Sequence, residues 1–245
     1  MKADPQSQRR LLELAELDTS LAQLAHRRRT LAELAELDRL DRELVALEDE
    51  RVRAQVAVDD LDRDIARIDR DVEQVRQRAD RDRARLDAGT GPAKELEALQ
   101  HELGTLARRQ GELEDAELEL MEKREQSQSL LDGVLGRHSQ TRDAHTQALQ
   151  RRDSALSDID KDTDQKTTAR VPLAAELPTD LIALYERVRE STGIGAALLR
   201  HGRCGGCRLE LSGSEKARVR SAPADDVVQC EECRRILVRT EESGL

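Results

Sequence analysis

Apolar residues recur every three or four positions along most of this chain, and charged residues fill the positions between them. From Leu37 a heptad can be written with Leu40, Leu47, Ala54, Leu61, Ile68 and Val75 at one core position. Leu44, Arg51, Val58, Ile65, Val72, Ala79 and Leu86 occupy the other. This is the seam of a coiled coil. Upstream, Leu14, Leu17, Leu21, Leu24 and Leu31 form a stripe in a shifted frame. One long helical segment over about 5–87, with its seam slipping near 30–37, is predicted. The near-copy of LLELAELD (11–18) at 31–38 is a single recurrence and too little for a repeat architecture.

The stretch D-A-G-T-G-P at 87–92 interrupts the pattern. Glycine allows a left-handed turn, and Pro92 suits the start of a second helix. A second seam follows at once, from Leu96 and Leu99 through Leu131 and Val134, and fades through Ala148, Ala155 and Ile159. Two seams without cores of their own, joined by a short turn, predict an antiparallel hairpin with its tip near 87–92. About 80 residues per arm give a length on the order of 120 Å. An intermolecular coiled coil is the alternative. The second seam turns polar at His138, Thr141, His145 and Arg152, opposite the leucine-rich start of the first helix. The hairpin base therefore needs another apolar partner. Leu181, Leu184, Tyr185 and Val188 fall on one face of a short helix within 173–193, bracketed by Pro172 and Pro178. Self-association through the unpaired leucines is the other solution.

Beyond Gly193 the period changes. Short branched runs (IGAALLR, RLEL, VVQ and RILVR) predict strands of a small ribbon. Ser212 and Glu215 have capping-box spacing and open a helix running to about Arg220. The expected architecture is mainly α: a long antiparallel coiled-coil hairpin (1–172), a linker helix (173–193) and a small β-rich C-terminal domain (194–245).

Composition sharpens this. Phe and Trp are absent and Tyr185 is the only aromatic, so no large central core is expected. No apolar run of membrane-spanning length exists, and the first ten residues lack the apolar stretch of a secretory signal. A cytoplasmic protein without membrane contact is expected. The net charge of −10 disfavours non-specific nucleic-acid binding by the whole molecule.

The chemistry is concentrated in four cysteines. Cys204, Cys207, Cys230 and Cys233 form two C-x-x-C pairs with 22 residues between them. Thioredoxin-like dithiols sit in a βαβ unit, and none surrounds R-C-G-G-C-R. Cytosolic disulfides are rare. One tetrahedral Zn²⁺ bound by four thiolates explains both pairs better, and redox dithiols and disulfides are the alternatives. Four cysteine ligands leave no open position for a catalytic water, so the metal is expected to be structural. Gly205 and Gly206 permit the tight turn that aims amides at the thiolates. His201, near the first pair, reads as a surface residue, as do the helical histidines.

These residues carry a resemblance. G-R-C-G-G-C-R-L-E-L-S (202–212) and V-V-Q-C-E-E-C-R-R-I-L-V-R (227–239) resemble the C4-type zinc-ribbon domain of bacterial coiled-coil hairpin proteins. The tip sequence G-T-G-P-A-K-E-L-E-A-L-Q-H-E-L (89–103) is similar too, and the likeness spans essentially the whole chain. It implies one zinc held by Cys204, Cys207, Cys230 and Cys233. It also implies a regulator or adaptor, since some relatives act in flagellar gene expression and transcription. Arg234 departs from the pattern, which has glycine after the last cysteine.

Two functions from different classes follow. The first is a non-enzymatic adaptor that contacts a partner protein; the second is a nucleic-acid binder acting through the ribbon. Residues 200–245 hold nine Lys/Arg and eight Asp/Glu, which is no basic footprint. Arg200, Arg203 and Arg208 nevertheless cluster at the first cysteine pair, and Arg234, Arg235 and Arg239 at the second. They are the candidate contacts for a protein or a nucleic acid. Carboxylates on an exposed helical arm have no pocket to shift their pKa values, so enzymatic activity and a small-molecule substrate are not expected. The oligomeric state is open.

Overall fold

The computed structural model describes residues 1–244. The helices are α1 (Pro5–Arg29), α2 (Ala32–Asp87), α3 (Ala93–Ala175), α4 (Thr179–Thr192) and α5 (Gly213–Ser221). Four short strands accompany α5: β1 (Ala196–Arg200), β2 (Arg203–Cys204), β3 (Val228–Gln229) and β4 (Ile236–Val238). The chain divides into two units, one of residues 35–149 and one of residues 1–34 with 150–245.

In the first unit α2 and α3 form an antiparallel hairpin. Every seam position from Leu40 to Leu86 is buried or half-buried, with Leu47, Val58 and Val72 nearly sealed. Cross-helix ion pairs mark the register: Arg137–Glu50 (2.6 Å), Arg124–Asp62 (3.0 Å) and Arg76–Glu114 (2.7 Å). Such exposed pairs specify alignment more than they add stability. Where the second seam turns polar it pairs with acidic partners, His145 with Asp41 (3.0 Å) and Thr141 with Glu43 (3.2 Å). The turn uses left-handed backbone at Gly89 (φ 61°), and α3 then starts directly after Pro92.

The second unit corrects two expectations. The first helical segment is not continuous. The Thr30 amide closes α1 on the carbonyls of His26 and Arg27, and α2 begins at Ala32. Leu24 and Leu31 both pack on Ile159, so the frame slip is absorbed by a helix break rather than by overwinding. Three arginines, Arg27 to Arg29, end α1 where the helix dipole favours positive charge. Pro172 does not end α3, which runs three residues further. Pro172 lacks the amide that would donate to the Thr168 carbonyl, and the helix ends within a turn of this missing bond.

Leu11, Leu14 and Ala15 of α1 pack against Leu181 and Tyr185 of α4. Ala196, Ile236 and Val238 of the strands join the same cluster, so α4 and the sheet together cover the leucines the hairpin leaves over. The sheet order is β2-β1-β4-β3, with β1 and β4 parallel. RLEL forms no strand of its own, only a bridge between Glu210 and Arg203. The first residues of the chain are tied to the ribbon: the Ala3 amide donates to Asp225 O (2.8 Å), and the Val227 amide donates to Met1 O (3.0 Å).

The sole aromatic sits at a polar knot. The Tyr185 hydroxyl donates to Asp18 Oδ2 (2.7 Å). Arg170 Nε donates to Asp18 Oδ1 (2.7 Å), and Arg189 Nε lies 3.2 Å from Asp18 Oδ2. Glu186 accepts from both arginines. Asp18 is 3% exposed, and a carboxylate so buried requires this saturation.

Candidate metal centre

Two near-identical knuckles hold the cysteines. In the first, the Arg208 amide donates to Cys204 O (2.8 Å) and the Cys204 amide to Leu209 O (3.0 Å). In the second, the Arg234 amide donates to Cys230 O (2.9 Å) and the Cys230 amide to Arg235 O (3.0 Å). Each knuckle closes with a residue in left-handed backbone, Arg208 (φ 65°) and Arg234 (φ 64°). This is the conformation glycine adopts without cost. Arg234 therefore makes the turn expected of a glycine, with the strain of a side chain added.

The turns bring all four sulfurs within 4.8 Å of one another. Cys204 Sγ lies 3.7 Å from Cys233 Sγ, and Cys207 Sγ lies 3.9 Å from Cys230 Sγ. Thiolates 2.3 Å from a tetrahedral Zn²⁺ are about 3.8 Å apart, whereas a disulfide brings sulfurs to about 2.05 Å. The residues present thus fit a tetrahedral metal.

The electrostatics are uneven. Burial pushes the Cys204 thiol up to about 12, against the opposing amides of Cys207 and Gly206. Burial also raises Cys230, whose thiolate is supported by the amides of Cys233 and Glu232. At Cys233 burial is outweighed by the Arg235 amide and side chain, and the thiol falls to about 7. The amides act as fixed donors that prepare the sulfurs for the charged state a metal requires.

The six arginines part company. Arg239 donates to the carbonyls of Val219, Ala222, Pro223, Ala224 and Asp226, and so pins the loop after α5. Arg235 donates to Thr192 O (2.7 Å) and Ile194 O (3.2 Å). Arg200 pairs with Glu242 (3.1 Å) and Arg203 with Glu210 (3.4 Å). Arg208 and Arg234 are exposed and have no acidic partner among the described residues.

Sequence context marks Glu215 for helix capping alone. Its amide does bond Ser212 Oγ (3.1 Å), but its carboxylate turns away and accepts from the Glu231 amide (2.9 Å) inside the second knuckle. At 3% exposure it is a buried anchor joining α5 to the cysteine turn. The only sequence signal is a glutamate 15 residues before Cys230, which carries no pattern.

Two family models match this chain. A CT398-like coiled coil hairpin domain covers residues 14–193, and a C4-type zinc ribbon domain covers 203–237. The chain is 41% identical over 241 residues to an uncharacterized protein of Mycobacterium tuberculosis, covering 98% of each. A Mycobacterium smegmatis structure matches with a TM-score of 0.86 and 40% identity, over 98% of this chain and 100% of that one. CT398 of Chlamydia trachomatis shares the fold, with a TM-score of 0.65 and 19% identity over 95% of this chain and 97% of that one. The chain belongs to the CT398-like coiled-coil hairpin family, with a C4-type zinc ribbon at its C-terminal end.

Proposed function

We propose that this hairpin protein is a non-enzymatic, zinc-stabilised adaptor of the cytoplasm. Its ribbon presents arginines to an acidic surface of a partner protein. One structural Zn²⁺ is held by Cys204, Cys207, Cys230 and Cys233, and when bound it crosslinks the two knuckles. Four thiolates complete a tetrahedral shell and leave no position for a reactive water. A reducing compartment suits four free thiols held at metal-binding distance. No described helix is long and apolar enough to cross a membrane.

The observation that carries the partner reading is the state of Arg208 and Arg234. Both are exposed and have no acidic partner among the described residues, while the other four candidate arginines bond carboxylates or carbonyls within the chain. Both also stand in left-handed backbone, a conformation that costs roughly 1–2 kcal/mol for a residue with a side chain. Strain of this kind concentrates at functional surfaces. The same guanidinium groups suit nucleic-acid phosphates, which is the second reading.

The double variant Arg208→Gly/Arg234→Gly separates the readings, because glycine keeps both turns and removes both cations. Affinity capture from native lysate is expected to lose a specific protein with the variant while zinc is retained. An unchanged set of captured proteins contradicts the adaptor reading. Salt-sensitive gel shifts with generic DNA or RNA, lost in the variant, favour the second.

A further inference from the structure

Arg235 holds three places at once. Its backbone belongs to the second knuckle, where its carbonyl accepts the Cys230 amide (3.0 Å). Its side chain crosses the first knuckle so closely that a Cβ on Gly206 would lie 2.5 Å from Arg235 Cδ. Its guanidinium then reaches Thr192 O (2.7 Å) and Ile194 O (3.2 Å), on either side of Gly193, the residue that ends α4 in left-handed backbone. The last carbonyls of a helix lack intrahelical donors, and an arginine there also meets the negative end of the dipole. Just beyond, Gly195 lies flat on Tyr185, where a Cβ would come within 2.4 Å of Tyr185 O. The Gly195 carbonyl accepts the Ile236 amide (2.9 Å), the residue after Arg235.

We propose that Arg235 is a positioning residue that couples the metal centre to the end of the linker helix. The bound metal fixes both knuckles, the knuckles fix Arg235, and Arg235 holds the 192–195 turn against Tyr185. The coupling runs both ways: losing the metal loosens the turn, and losing the guanidinium weakens metal retention. Partners of metal ligands that are themselves not ligands typically change affinity by about 10- to 100-fold. This inference rests on the zinc reading. It predicts the helix-end effect in addition, which a ribbon with an independent zinc site lacks.

The test uses the full chain as wild type, Arg235→Met and Gly206→Ala. The second variant keeps the arginine and displaces it by the added methyl, so it decides the matter if Arg235→Met does not fold. Zinc content, zinc release to excess chelator and amide hydrogen exchange over 189–196 are measured. In wild type, chelation is expected to raise exchange in this segment. Zinc-loaded Arg235→Met should already show the raised exchange and release zinc about 10- to 100-fold faster. Gly206→Ala should shift both in the same direction. Glu215→Gln, on the far helix of the ribbon, should speed release without changing 189–196 exchange in the loaded state. Wild-type release and exchange in Arg235→Met and Gly206→Ala overturn the coupling while leaving the zinc site standing. A wild type that carries no zinc overturns both, and its metal content alone identifies that outcome.

Discussion

Arg208 and Arg234 are structural equivalents. Each follows the second cysteine of its knuckle, each adopts left-handed backbone (φ 65° and 64°), and each donates its amide to the first cysteine's carbonyl (2.8 and 2.9 Å). Only glycine occupies this region freely. The ribbon therefore carries two copies of the same strained turn, both closed by a charged residue. Arg234→Gly is expected to stabilise the protein by about 1 kcal/mol with zinc content unchanged. Thermal or denaturant unfolding checks this. Destabilisation would mean that the Arg234 side chain makes a contact that outweighs its strain.

Glu215 closes the second knuckle from α5 through the Glu231 amide (2.9 Å). Glu215→Ala leaves a buried donor unsatisfied, a cost of about 1–3 kcal/mol. Lower stability and faster zinc release to a chelator are expected. Unchanged release would place Glu215 in the ribbon's packing alone.

Tyr185→Phe removes the hydroxyl from Asp18 (2.7 Å) while keeping the ring in its cluster. Asp18 retains its arginine partners, so a loss of about 1–2 kcal/mol is expected. The same loss in an Asp18→Asn background would contradict the coupling of the two, which a double-mutant cycle measures.

Burial raises the Tyr185 phenol well above its ordinary value of 10, and the neighbouring Asp18 carboxylate raises it further. The neutral form is thus favoured in the fold. Its stabilising contribution is complete below pH 10 and is lost as pH rises above that value. No other tyrosine or tryptophan interferes. Tyrosinate absorbance should therefore appear late in an alkaline titration, together with loss of helical signal. A transition near 10 in the folded protein contradicts the buried assignment.

How much of this was legible in the sequence depended on range. The seams and the Gly89–Pro92 turn rest on local periodicity and local backbone chemistry, and they emerge as read. The cysteine pairs are legible because only two residues separate the cysteines within each knuckle. The helix break at Thr30 is indistinguishable from a slip in the sequence, because a seam shift and a helix break leave the same hydrophobic trace. By sequence Arg235 and Arg239 are cations beside the cysteines, candidate contacts for a partner. Their carbonyl partners lie 13 to 43 residues away in sequence, beyond any local pattern. Glu215, Arg170 and Asp18 were equally silent, since each is one more charge in a chain that is 38% charged.

Metal analysis of the purified full chain decides whether the four cysteines form a closed, structural zinc site. One zinc per chain is predicted, falling to none in Cys204→Ser/Cys230→Ser, with all four thiols becoming titratable only after chelation. Protein purified at neutral pH without metal, or with Cys204 and Cys207 joined as a disulfide, would contradict it.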